Sequence, residues 1–310
     1  MKSEIYQFAG LRIASDLPLF GLQVCRDAPE GRCEVVIRRA PVSDEVAGVT
    51  ARFLNGRYSG IYNGKEVLLE YSELGRFLIR SGEEIIVDLA ASSDAGAVRA
   101  YLLGAVFGAL CHQRGITPLH AAAIDVADSC VTFVGASGAG KSTLVAGLAQ
   151  HGYEIIADDE CFMQLGPNGS LHVWPGISRI RLWKDAGMAL GFDPPRVEGR
   201  SRSQNKYFVP VRSPRNPIDA RSLRRVYQLD PVPNGPVQVV RLCGGEAVEA
   251  LMQNVYPPGV AALLGYQSNV FTVCAKVACE VPVFRLSRPR DLAALDQSIQ
   301  LLESHLQDIA

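Results

Sequence analysis

Long uninterrupted apolar runs are missing: the longest, Leu102 to Cys111, is about half of the roughly twenty residues that a spanning helix needs. The N-terminus, Met1-Lys2-Ser3-Glu4-Ile5, has no apolar signal core. Secretion and membrane association are therefore not indicated, and a cytoplasmic location is expected. An excess of one charge sign is also missing. The formal net charge is -1 over 310 residues, whereas nucleic-acid-binding domains usually carry a basic surplus, so no nucleic-acid partner is expected. The eight cysteines form no C-x-x-C pair, and Cys274 and Cys279 have neither a second pair nor nearby histidines to complete a zinc site. They are expected to be buried thiols in a reducing compartment. Internal repeats and low-complexity tracts are absent. What is abundant is core-forming material: 48% of the residues are hydrophobic, in a chain long enough for two domains or for one large domain with an appendage.

The first 92 residues read as short strands between turns. Cys33 to Arg39, Val67 to Tyr71, Arg76 to Ile79 and Glu84 to Leu89 have strand character, and Asn63-Gly64 is a hairpin signal. No catalytic constellation stands there, so this small β-rich portion is expected to serve substrate capture, assembly or a structural role. Ala95 to Arg114 carries Val98, Leu102, Val106 and Leu110 at helical spacing, with Gly115 as a stop. A boundary near 92 to 97 follows, with residues 1–92 as one domain and 93–310 as a second, α/β domain. Further along, Leu119 to Val126 and Cys130 to Val134 read as strands joined by a tight turn at Ala127-Asp128-Ser129. Ser142 to Gln150 reads as a helix and Tyr153 to Ile156 as a strand. Phe271 to Leu286 has strand character broken by a turn at Ala278 to Pro282, and Asp291 to Gln307 reads as an amphipathic helix.

The most informative segment is Gly135-Ala136-Ser137-Gly138-Ala139-Gly140-Lys141-Ser142-Thr143, a complete G-x-x-x-x-G-K-[ST] loop between a strand and a helix. Glycines at Gly135, Gly138 and Gly140 let backbone N–H groups, including those of Ser137 and Ala139, turn toward phosphate oxygens. Lys141 can reach the β- and γ-phosphates, and the Ser142 hydroxyl can ligate Mg²⁺. The helix that starts there, with Thr143 in its first turn, presents unpaired N–H groups to an anion. ATP with Mg²⁺ is the expected ligand.

A strand-helix-strand crossover brings the carboxyl end of the strand after the helix to the same sheet edge as the loop, which delivers Asp158 and Asp159 there. One carboxylate can hold Mg²⁺ and the other can accept a proton from an attacking hydroxyl. Asp158 is assigned as base and Asp159 as metal partner, with exchange of the two roles left open. An antiparallel pairing of the strands on either side of Ala127-Asp128-Ser129 would set His120 beside the loop, for catalysis or for positioning an aspartate. From Arg179 to Arg225 there are twelve Lys or Arg against four Asp or Glu, in a stretch rich in proline and expected to be mostly loop. Arg179, Arg181 or Lys206 could neutralise charge on a transferring phosphoryl group, or the stretch could hold an acidic peptide.

Pro118-Leu119-His120-Ala121, the Gly135 to Thr143 loop and Gly152 to Asp159 together resemble the catalytic core of bacterial HPr serine kinase and its relatives. The resemblance implies ATP in the loop, a base and a metal contact from Asp158 and Asp159, and His120 close to the transferring phosphate. The family's second signature, a Glu-Ile-Arg-Gly-type segment, is replaced here by Trp174 to Leu182, and the first 92 residues do not look like that enzyme's regulatory domain. With Arg114-Gly115 included, the pattern is more similar to HPr-kinase-like proteins of lasso peptide gene clusters, which implies a precursor peptide, modified at its C-terminal serine, as partner. HPr, free serine or another small hydroxylated metabolite is the alternative acceptor. An ATP-gated regulatory or assembly protein is the alternative class, and the resemblance to ring-forming kinases leaves a homo-oligomer open. The expectation is thus an α/β, HPr-kinase-like P-loop domain after a small β-rich one.

Overall fold

The computed structural model describes residues 3–19, 21–25, 33–43, 48–54, 59–166, 168–177, 180–192, 206–209 and 219–309. They form a mixed α/β structure in two compact units, Met1–Pro118 with Tyr256–Val270 and Leu119–Val255 with Phe271–Ala310. Residues 95–113, which the sequence reading places in the second domain, lie in the first unit.

The first unit is built on nine strands: β1 (Glu4–Phe8), β2 (Leu11–Ser15), β3 (Gln23–Val24), β4 (Val35–Arg39), β5 (Ala51–Leu54), β6 (Ser59–Tyr62), β7 (Glu66–Tyr71), β8 (Gly75–Arg80) and β9 (Glu84–Leu89). They are arranged β3-β1-β2-β4-β9-β8-β7-β6-β5 in one sheet. Asn63-Gly64 turns β6 into β7, with the Asn63 side-chain oxygen accepting from the N–H groups of Lys65 and Glu66 at 3.1 and 2.8 Å. The helical run Ala95–Gln113, π-helical over Leu102–Val106, is long and apolar enough by composition to cross a membrane, yet 67% of its most apolar window is buried within the structure. Phe107 meets Phe8 of β1 and Tyr101 meets Tyr71 of β7, with ring centroids 4.8 and 4.4 Å apart, as in a helix packed on a sheet.

The second unit holds an eight-stranded sheet of β10 (Thr117–Val126), β11 (Ser129–Val134), β12 (Glu154–Ala157), β13 (Glu160–Leu165), β14 (Leu171–Trp174), β17 (Arg221–Val232), β18 (Gln238–Leu242) and β19 (Val283–Pro289). A separate ribbon pairs β15 (Ile180–Trp183) with β16 (Lys206–Val209). β10 and β11 form the expected hairpin, with Ala121 opposite Val134. Its turn residues Ala127 and Asp128 both have positive φ (50° and 58°), the geometry that matches strand twist in two-residue hairpins. β12 pairs with the other side of β10, also antiparallel, so β11 and β12 run parallel with β10 between them. β17 lies parallel to β11 and β19 lies parallel to β17. The carboxyl ends of β11, β12, β17 and β19 therefore point the same way.

Lys141–Gln150, the loop helix, packs through Leu144, Val145 and Leu148 into a core shared with Phe133 of β11, Tyr227 of β17 and Leu295, Ile299 and Leu302 of the C-terminal helix Leu295–Leu306. A Cβ at Gly147 would come within 2.7 Å of Ile299 Cδ1. The missing side chain there lets the two helices approach closely, which offsets the usual cost of glycine in a helix.

Two expectations are corrected. Phe271 to Glu280 is helical, within Gln267–Glu280; Val273, Cys274 and Val277 are buried at helical spacing, and that periodic burial overrides the β-propensity of the valines. Of Arg179 to Arg225, expected to be mostly loop, the described part is mostly regular, with Ile180, Leu182 and Val209 buried on one face of the β15–β16 ribbon, while 193–205 and 210–218, which hold its prolines, lie outside the described residues. All eight cysteines are free, but Cys243 and Cys279 are exposed and Cys25 and Cys33 only partly buried, so burial holds for the other four alone.

Candidate nucleotide site

Residues 135–140 leave β11 at the sheet edge and enter the loop helix at Gly140, its N-cap. Gly135, Gly138 and Gly140 have φ of 149°, 83° and 92°, conformations that an L side chain rarely adopts. Ala136, Ser137 and Gly138 form an exposed crown, while Ala139 is buried and Thr143 is half-buried in the first helical turn. No side chain caps the helix, so its first N–H groups remain for an anion. Lys141 is buried, and its Nζ donates to the carbonyls of Gly135 and Ala136 at 2.6 and 3.3 Å. The ammonium thus sits within the curl of the loop.

The two aspartates follow β12 at the same edge. Asp158 is buried. Its Oδ1 accepts from the Ser142 hydroxyl at 2.9 Å and its Oδ2 from the Arg181 backbone N–H at 3.1 Å. Burial, and next the neighbouring Asp159 charge, push its carboxyl up to about 7. Asp159 is different. Its side chain keeps 39% exposure, faces the Arg181 guanidinium at 3.4 Å, and its backbone has φ of 77°, a region that Asp tolerates better than most residues. Two bonds hold that backbone: the Ala121 N–H donates to the Asp159 carbonyl at 3.1 Å, and His120 Nδ1 lies 2.9 Å from it. A carbonyl can only accept, so Nδ1 carries the proton. His120 Nδ1 is therefore set against the backbone of Asp159.

Trp174 to Leu182, the segment in place of the Glu-Ile-Arg-Gly signature, also reaches the acid pair. Ile177 offers its carbonyl to the Asp158 N–H at 3.4 Å, and Gly176 lies so close to the Glu160 carbonyl that a Cβ would collide with it. Glu160 itself is pushed up to about 8, by burial first and the Asp159 charge second, against the lowering effect of Arg181. Arg179 lies outside the described residues, and Lys206 sits in β16 with only its backbone described. Two other arginines of the basic stretch are engaged structurally. Arg221 pairs with Asp125 at 3.0 Å, and Arg225 pairs with Asp308.

Among the described residues no three His, Cys, Asp or Glu side chains converge as a metal cage. The donors present, the Ser142 hydroxyl and a carboxylate touching it, are hard oxygens of the kind magnesium takes alongside phosphate and water. This donor set fits Mg²⁺ in a nucleotide complex. Two residues that the sequence reading missed belong to the same edge. Buried Asn254 accepts from the Gly135 N–H at 2.9 Å through its side chain and from the His120 N–H at 2.7 Å through its carbonyl. Buried Arg288, in β19, lies against Gly140. No local motif marks either one, since each is more than a hundred residues from the loop.

No family model matches this chain, and no curated protein matches it. Among solved structures it is similar to the Hpr(Ser) kinase/phosphatase from Coxiella burnetii, at 12% identity and a TM-score of 0.32, over 62% of this chain and 92% of that one.

Proposed function

We propose that the second unit is a Mg-ATP-dependent phosphotransferase acting on a serine hydroxyl of a peptide. The observation that carries this reading is the 2.9 Å contact between Ser142 and Asp158, which joins the glycine loop to an acid pair. A module that only binds nucleotide needs no second carboxylate. The loop N–H groups and Lys141 would hold the β- and γ-phosphates. Bound magnesium, held by Ser142 and one aspartate, would neutralise charge between those phosphates. The acceptor oxygen forms its bond to the γ-phosphorus as the bond to the β–γ bridging oxygen breaks, ADP leaves, and the hydroxyl proton passes to the other aspartate.

The geometry favours exchanging the roles first assigned. Asp158 is buried and touches Ser142, which suits the metal side, where a cation would relieve its desolvated charge. Asp159 is more exposed and suits an incoming hydroxyl. The peptide acceptor rests on the sequence resemblance of His120, the loop and Asp158-Asp159 to serine kinases. The test incubates the protein with Mg-ATP and, separately, a lasso-type precursor ending in serine, HPr, and free serine, with products read by mass spectrometry. Phosphate on the precursor's terminal serine, lost when that serine becomes alanine, is the expected result. Modification of HPr or free serine alone would replace the acceptor, and no modification of any would remove the reading.

A further inference from the structure

Arg288 is buried to 6% exposure, its Nε has no hydrogen-bond partner, and among the described residues its guanidinium makes neither an ion pair nor a hydrogen bond. Desolvation lowers its pKa from the ordinary arginine value, but guanidinium remains charged in proteins. A buried, unpaired cation is costly, and proteins rarely retain one without a compensating anion. Its place narrows the choice of anion. β19 runs parallel to β17, with Arg288 opposite Pro231, and β17 runs parallel to β11, so Arg288 stands at the edge from which the glycine loop springs. The guanidinium abuts Gly140, where an added Cβ would collide with Nη2. Gly140 is also the N-cap of a ten-residue helix without a side-chain cap. The start of the loop helix and an unpaired guanidinium thus meet at Gly140, the residue before Lys141.

We propose that Arg288 is a ligand of the nucleotide's phosphate chain, donating from Nε and Nη to oxygens seated over the start of the loop helix. This rests on the nucleotide reading above. The guanidinium would be a cation supplied in cis, fixed by a β-strand and so already in place when nucleotide arrives.

The experiment titrates Mg-ATP, Mg-ADP and inorganic pyrophosphate calorimetrically into the wild type and R288Q. Loss of about 10- to 100-fold in affinity for phosphate-bearing ligands is expected, the range for one charge-assisted donor pair. Loss confined to ATP places the group at the γ-phosphate, and equal loss for ATP and ADP places it at the β-phosphate. If R288Q does not fold, R288K takes its place with the same direction of change, because an ammonium cannot reproduce the fork. A direct readout in the wild type is the ¹⁵N-edited Nε–H resonance of Arg288, assigned by its loss in R288K; it should shift on saturation with Mg-ATP. Unchanged affinity in the variant, or a resonance that stays in place while the wild type binds ATP, overturns the role of Arg288 and leaves the nucleotide reading standing. A wild type that binds none of the three ligands overturns both.

Discussion

Asn254 does three jobs with one side chain and one peptide. Its Oδ1 accepts from Gly135, its Nδ2 donates to the Ala250 carbonyl at 2.8 Å, and its own carbonyl accepts from His120. It therefore fixes both the first residue of the glycine loop and the strand that carries His120. Asn254→Ala would leave a buried N–H and a buried carbonyl without their partners, a cost of about 1–3 kcal/mol for each group so stranded. Urea denaturation should show a loss of about 2–6 kcal/mol for the two groups together, and calorimetry should show weaker Mg-ATP binding, because the loop loses its anchor. Unchanged values of both would deny Asn254 this role. The acid pair shows a complementary division: Asp158 is held from both sides by Ser142 and Arg181, whereas Asp159 is held by its backbone and keeps its carboxylate outward.

The hairpin of β10 and β11, the loop helix and β12 were legible in the sequence for a physical reason. Each is specified by neighbours within a few residues: short, almost continuously buried runs, the Ala127-Asp128 turn, and a glycine loop leading into a short helix. The hairpin of β1 and β2 was not read, although Tyr6, Phe8, Leu11 and Ile13 alternate into the core. Its turn, Ala9-Gly10, places both residues at positive φ, 49° and 76°, and only the glycine of the two is a turn residue, a weaker signal than Asn-Gly or Asp-Gly. Gln267–Glu280 was misread because its valines favour strands in isolation, and only the packed helix reveals their spacing. The helix Phe107–Gln113 supplies a pH-dependent element. His112 is buried, its Nε2 lies 3.0 Å from the Tyr256 carbonyl, and burial lowers its pKa from 6.5 to about 4, against the raising effect of that bond. The unfolded chain takes up a proton below about pH 6.5 and the folded one only near pH 4. The stabilisation is thus complete above the unfolded value and falls by about 3 kcal/mol as pH drops from 6.5 toward 4. Denaturant midpoints at pH 7 and pH 4.5 should diverge more for the wild type than for His112→Gln. Equal divergence would mean that His112 does not titrate in this way.

Across the molecule, strand order rather than sequence proximity assembles the candidate site. The β11-β17-β19 run of parallel strands brings Arg288 to a loop some 150 positions earlier, and the bridge between Leu119 and Val255 sets Asn254 beside His120. Neither arrangement can be inferred from a window of neighbouring residues, which is why the loop, the aspartates and His120 could be read from the chain while Asn254 and Arg288 could not. The residues named in this constellation all belong to the second unit.

The central claim is that the acid pair performs phosphoryl transfer on nucleotide held by the glycine loop. Its most direct test compares acceptor-dependent ADP release by the wild type, Asp158→Asn and Asp159→Asn, with Mg-ATP affinity measured on the same samples. Asp159→Asn should lower kcat by about 10²- to 10⁴-fold, the contribution of a general base, with little change in affinity, while Asp158→Asn should raise the magnesium concentration needed for turnover. Wild-type rates in both variants would contradict the account.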